Sequence, residues 1–181
     1  MGKNSCNWQR RHRFSILRSV RNSVTIIDGH SPEQVETVRA LFKEYQRAVD
    51  VDLCFQQFEQ ELAELPGKYA PPAGRLLLAR GNAEIGGCVA VRALKENICE
   101  MKRLYVRPAF RRHGIGRQLA LAAIDAARQI GYRSMRLDTL ASMKEAISLY
   151  GSLGFGRIEP YYNNPSAGAL FLELDLSNER L

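Results

Sequence analysis

The sequence predicts an α/β domain of the α+β kind, built on about seven strands interleaved with helices, and three observations predict it. Short runs of β-branched and apolar residues bounded by turn residues recur along the chain. Between them lie stretches whose apolar residues fall at helical spacing, the clearest from Gly114 to Ile130. Neither an internal repeat nor a low-complexity linker interrupts the pattern, so residues 24–181 are expected to form a single domain behind a basic arm at 1–23.

Val24 to Asp28 alternates β-branched and polar residues and closes on Asp28-Gly29, a first strand and its turn. Ser31-Pro32-Glu33-Gln34 then supplies an N-cap, a proline at the first helical position and a Gln three residues after the cap. Val35, Val38, Leu41, Phe42 and Tyr45 follow on one face, which predicts a helix to about Val49. A weaker helix carries Phe55, Phe58 and Leu62 and stops before Pro66-Gly67. Arg75 to Arg80 and Ile85 to Arg92, joined at Gly81-Asn82, read as a hairpin.

After a turn at Lys95-Glu96-Asn97, Ile98 to Val106 reads as the fourth strand. Arg107-Pro108 ends it, because proline has no N–H with which to continue a ladder. The Gly114–Ile130 helix is closed by Gly131, and Met135 to Leu140 is the fifth strand. Met143 to Leu153 is a helix closed by Gly154, and Phe155 to Glu159 and Ala169 to Leu174 are the last two strands.

With 181 residues, 45% of them hydrophobic, the chain can bury one ordinary core. The net charge of +7 would suggest nucleic acid, but six of the seven charges sit on Lys3, Arg10, Arg11, Arg13, Arg18 and Arg21 in an arm without acids. The remainder carries +1, so no specific nucleic-acid partner is expected. No apolar run approaches the ~20 residues of a membrane span, and no membrane partner is expected either. The arm has the composition of an organellar transit peptide and equally of a loose tail, and the expected location is the cytoplasm. Cys6, Cys54, Cys88 and Cys99 form no C-x-x-C pair and lie near no histidine at ligand spacing, which predicts free thiols and no metal. A homodimer is left open.

Arg111-Arg112-His113-Gly114-Ile115-Gly116-Arg117 lies where a strand hands over to the long helix. A helix start exposes unpaired N–H groups and the positive end of the macrodipole, and the two glycines let a phosphate approach the backbone. Arg112 and Arg117 add charge suited to a diphosphate and a ribose phosphate. Further on, Leu149-Tyr150-Gly151-Ser152-Leu153-Gly154-Phe155 ends the next helix. The R-x-x-G-x-G loop and this L-Y-x-x-L-G-F segment, at this separation, resemble the GNAT acetyltransferases over roughly Leu76 to Leu174. The loop is neither G-x-G-x-x-G nor G-x-x-x-x-G-K-[ST], which sets aside the common nucleotide-binding folds.

The resemblance implies a GNAT-type mixed, mostly antiparallel sheet with helices on both faces and a splay between the fourth and fifth strands. It implies acetyl-CoA as cosubstrate, no metal, and an acceptor that is a small-molecule or peptide amine. Leu104, Tyr105 and Val106 would offer backbone groups to pantetheine, and Arg111, Arg112, His113, Gly114, Ile115, Gly116 and Arg117 would cradle the pyrophosphate. A backbone N–H near Val106, at a strand bulge, would meet the oxyanion. The family's usual Asn on the coenzyme arm is Met143 here, with Ser142 beside it as the substitute ligand. That departure keeps a second reading alive, a non-catalytic acetyl-CoA sensor of the same fold.

Acetyl transfer needs a neutral amine, a polarised thioester and a proton for the departing thiolate. A lysine-like amine has a pKa of ~10.4, so a base helps at pH 7. Glu100 stands where histone-type members carry theirs, and Asp138 where ribosomal-protein-type members do. Tyr150 takes the place of the family's proton donor. Both carboxylates could instead be held by Arg103, Arg136 or a similar neighbour. Tyr161, Tyr162 and Asn163, with the segment Asp50 to Phe55, are the expected acceptor wall. Lys102 and Arg103 would favour an acceptor that also carries a carboxylate or phosphate.

Overall fold

The computed structural model describes residues 24–49, 57–81, 84–166 and 168–177. The arm at 1–23 and the segment Asp50 to Phe55 lie outside these. Along the chain run β1 (Val24–Asp28), α1 (Pro32–Val49), α2 (Phe58–Glu64), β2 (Arg75–Gly81), β3 (Glu84–Lys95) and β4 (Ile98–Val106). They are followed by α3 (Ile115–Ile130), β5 (Ser134–Leu140), α4 (Lys144–Ser152), β6 (Gly156–Ile158) and β7 (Ala169–Asp175). Local chemistry explains the ends. Ser31 Oγ accepts from the Gln34 N–H at 3.3 Å while Gln34 Oε1 accepts from the Ser31 N–H, the reciprocal cap that starts α1. Gly131, at φ 102°, closes α3 with its N–H on the Ala127 and Arg128 carbonyls.

The seven strands form one sheet in the order β1-β2-β3-β4-β5-β7-β6. Every neighbouring pair is antiparallel except β4 and β5, which α3 connects as a crossover and which therefore run parallel. That pair holds only from Ile98 to Glu100 against Ser134 to Arg136, and beyond it the strands diverge. A wedge opens there, at the middle of the sheet.

Alternation along the strands divides the apolar residues between two cores. Val89, Val91, Met101, Met135 and Leu137 pack under α3 and α4 with Leu119, Ile124 and Leu153. Leu76, Leu78, Cys88 and Ala90 pack under α1 and α2 with Val38, Leu41, Phe42 and Phe58. The sheet is thus covered on both faces. β6 is shorter than the sequence pattern suggests, because only Gly156 to Ile158 finds partners on β7. Among the described residues no helix is long and apolar enough to cross a membrane, and no group of three His, Cys, Asp or Glu could hold a metal.

Candidate functional site

The first intrahelical bond of α3 runs from the Gln118 N–H to the Gly114 carbonyl at 3.1 Å. The amides of Gly114, Ile115, Gly116 and Arg117 therefore have no acceptor within the helix and point out of its N-terminus. Gly114 caps it at φ 74°, and a Cβ placed there would meet nothing within 4 Å, so the space before the amides is open. Arg112, also at positive φ (65°), and His113 are exposed beside it. Ile115 is buried and anchors the helix start in the core. Arg117 donates to the Ser152 hydroxyl at 3.0 Å, tying α3 to α4, and Arg111 Nε donates to the Val106 carbonyl at 3.0 Å.

The wedge leads from this loop into the sheet. Leu104, Asp138, Leu140, Met143 and Tyr150 line it, with Tyr45 of α1 across from them. Ser142 is exposed at the turn ahead of α4, and Met143 occupies the wedge wall, where its sulfur accepts from the Thr139 hydroxyl at 3.7 Å. Tyr150 is buried, edge-on to Phe155 at 5.7 Å, and burial pushes its phenol above the ordinary value. It stays protonated at neutral pH.

A β-bulge sets which side chains face the site. Cys88 pairs with Tyr105 and Ala90 with Lys102, so Arg103 and Leu104 together oppose Val89. The expected bulge near Val106 thus lies two to three residues earlier, at Arg103, whose φ is 56°. Gly87 makes the close approach feasible, since a Cβ there would stand 2.4 Å from the Tyr105 carbonyl oxygen. The extra residue keeps Glu100, Lys102, Arg103 and Tyr105 all on the α1 and α2 side. Leu104 and Val106 pack on the α3 side, and the Tyr105 ring lies edge-on to Tyr45 at 6.3 Å.

On that face every carboxylate has a cation. Glu100, fully buried, accepts from Arg92 Nη2 at 2.6 Å and from the Tyr161 hydroxyl at 2.7 Å. Asp138 accepts from Lys102 Nζ at 3.1 Å and from Asn164 Nδ2 at 3.1 Å. Lys102 Nζ also lies 3.9 Å from Glu100, so one ammonium stands between the two candidate bases. Burial pushes the Asp138 carboxyl up, but the Lys102 ammonium and hydrogen bonds from Tyr162 and Lys102 outweigh it and hold it below the usual range. Both carboxylates are thus held by a neighbouring cation, as the sequence allowed, but by Arg92 and Lys102 rather than by Arg103 or Arg136. Arg103 is spent on Glu61, at 3.0 and 2.7 Å, and Arg136 on Glu173.

The structure brings Glu100, Asp138, Tyr161 and Tyr162 together around Lys102, with Tyr150 at the far side of the wedge. The two tyrosines are half-buried rather than exposed, their rings tilted against each other at 5.3 Å and packed edge-on with Phe171. Asn163 is exposed and makes no side-chain contact among the described residues, whereas Asn164 turns inward onto Asp138. Arg92 is not singled out by the sequence, although it leaves a trace as the charge that ends the apolar run of β3; Tyr45 reads only as part of the apolar face of the first helix and Asn164 only as part of the loop that carries Tyr161 and Tyr162.

Residues 35–155 match the acetyltransferase (GNAT) family. The chain belongs to that family. This GNAT acetyltransferase is 40% identical over 158 residues to an uncharacterised N-acetyltransferase of Schizosaccharomyces pombe, a match covering 86% of this chain and 97% of the relative. A GNAT-family acetyltransferase from Staphylococcus aureus shares its fold at a TM-score of 0.70 and 20% identity, over 85% of this chain and 99% of that one. A structure from Salmonella typhimurium solved with its cofactor acetyl-CoA does so at 0.61 and 22%, over 88% and 96%. The GNAT fold makes it an acyl-CoA-dependent acetyltransferase.

Proposed function

We propose that this GNAT acetyltransferase transfers the acetyl group of acetyl-CoA to a primary amine of a small molecule or peptide, by direct attack in a ternary complex. The observation that carries the reading is the wedge between β4 and β5. It opens toward the end of β4, where Val106 lies against the start of α3, and its pocket is lined by Tyr150, Lys102 and Asp138.

The residues present fit acetyl-CoA. The unpaired amides of Gly114 to Arg117 and the exposed Arg112 suit its pyrophosphate, and the unpaired edge of β4 after Glu100 suits its amide-bearing arm. The Val106 carbonyl already accepts from Arg111 and the Tyr105 carbonyl faces Gly87 of β3, which leaves Leu104 as the freer backbone partner. Ser142, exposed at the turn ahead of α4, takes the role of the missing amide. When bound, acetyl-CoA supplies an activated acetyl thioester.

The chain supplies orientation and proton traffic. Tyr150, kept protonated by burial, donates toward the sulfur as the C–S bond breaks. An N–H at the bulge meets the oxyanion. The proton lost as the amine forms its bond to the acetyl carbon passes to Glu100 or Asp138 through water. Tyr161 and Tyr162 wall the acceptor side.

Calorimetric titration of acetyl-CoA, followed by thiol release against a library of amines, tests the reading. Micromolar binding with acceptor-dependent thiol release is expected. Binding without release from any amine would replace it with that of an acetyl-CoA sensor.

A further inference from the structure

Beyond the wedge, a cavity of about 310 Å³ lies between α2, the turn at Lys68, and the strands carrying Arg92 and Glu100, with Tyr161 and Tyr162 as its floor. Among the described residues its charges pair one to one with a single exception. Glu61 is bound by both arms of Arg103 and by the Tyr69 hydroxyl at 2.8 Å. Glu100 is held by Arg92 and Tyr161, and Asp138, behind the wall, by Lys102. Lys68, which also lines the cavity, has no partner among the described residues. Arg92 meets Glu100 through Nε and Nη2, at 2.7 and 2.6 Å, which leaves its Nη1 donors unspent.

The unspent capacity of this cavity is therefore donor capacity, with one positive charge in excess. A bare ammonium would meet walls whose carboxylates are already neutralised. An anion would find two cations. We infer that the acceptor is an amino acid or a similar small molecule bearing a carboxylate, which Lys68 and the free Nη1 of Arg92 bind while its amine faces Lys102, which lines both this cavity and the wedge. The inference rests on the acetyl-transfer reading for the amine's role, and it corrects the expectation from sequence that Arg103 would supply the charge. The cavity's tyrosines and Leu94 suit a small side chain rather than a folded protein surface.

The test compares thiol release from acetyl-CoA with α-amino acids, with the amines left by their decarboxylation, and with phosphoethanolamine. It is joined to calorimetry of the same compounds on the protein saturated with CoA. The carboxylate should raise kcat/KM by about tenfold or more, as a charge-assisted contact does. Lys68→Met should erase most of that preference through KM, so that acids and decarboxylated amines are turned over at similar kcat/KM, with acetyl-CoA affinity unchanged. Equal turnover of acids and amines would overturn the inference and leave acetyl transfer standing. Preference for phosphoethanolamine over every amino acid would overturn the carboxylate assignment. Lys68-dependent binding of amino acids without any turnover would support the recognition and sink the catalytic reading, and no binding of amino acids at all would overturn the recognition.

Discussion

Lys102 spans the mouth of the wedge between β4 and β5, with its ammonium 3.1 Å from Asp138 and 3.9 Å from Glu100. Its side chain and that of Asp138 are almost fully buried, so water screens the contact little. Lys102→Met should raise the Asp138 pKa, because the largest influence lowering it is lost while burial still favours the neutral acid. If Asp138 takes the amine proton, the acidic limb of kcat/KM against pH moves to higher pH in that variant. Asp138→Asn would then flatten the limb, whereas flattening by Glu100→Gln alone would give the role to Glu100.

If Tyr150 is the proton donor, Tyr150→Phe should lower kcat by roughly 10²-fold to 10⁴-fold, since its hydroxyl would act on a group that becomes charged only as the bond breaks. Its ring fills core volume beside Phe155, and its hydroxyl makes no hydrogen bond among the described residues. The substitution therefore leaves no buried partner unsatisfied. Melting temperature and acetyl-CoA affinity should stay within error of the parent, and a large fall in either would show that Tyr150 is structural.

Much of this arrangement can be read from residue patterns, and the remainder depends on contacts that have no period. The α3 stripe, the proline that ends β4 and the Gly114 loop are local signals, and they place the start of α3 and its unpaired amides correctly. Which residues face the acceptor side is different, because a bulge at Arg103 adds one residue and reverses the alternation after it. The Arg103–Glu61 pair joins positions 42 residues apart, and no local rule could replace Arg103's expected role with that one. In the loop before β7, nothing in the sequence distinguishes Asn163 from Asn164. The inward turn of Asn164 comes from its bonds to Asp138 and to the Tyr162 hydroxyl, at 3.1 and 3.2 Å.

Glu61 should make stability acid-sensitive. Burial pushes its carboxyl up, but hydrogen bonds from Arg103 and Tyr69 hold it below the ordinary value. A group whose folded pKa is depressed contributes stability above its unfolded pKa, and that contribution is lost as pH falls through the folded one. Glu61→Gln removes this term and leaves Arg103 buried without its counter-charge, which costs about 3–5 kcal/mol. Thermal melts from pH 7 down to pH 3 should show a lower melting temperature for the variant at neutral pH and a gap that narrows on acidification. A constant gap would mean that Glu61 carries no charge-dependent stability.

The phosphate cradle can be tested at Gly114 with two substitutions that differ only in charge. At φ 74° any side chain is strained, but Asn and Asp tolerate this region better than other residues, and the Cβ position is open. Gly114→Asn should therefore keep the fold and much of the acetyl-CoA affinity. Gly114→Asp carries the same shape and strain but sets a carboxylate before the amides where the pyrophosphate is expected. Two like charges at ~4 Å repel by about 4 kcal/mol at an effective dielectric of 20, close to a thousandfold in affinity. Calorimetry on both variants separates strain from charge: a steep loss confined to the Asp variant, and relieved partly by salt, supports the cradle. Equal affinities in the two would place the pyrophosphate somewhere other than the α3 N-terminus.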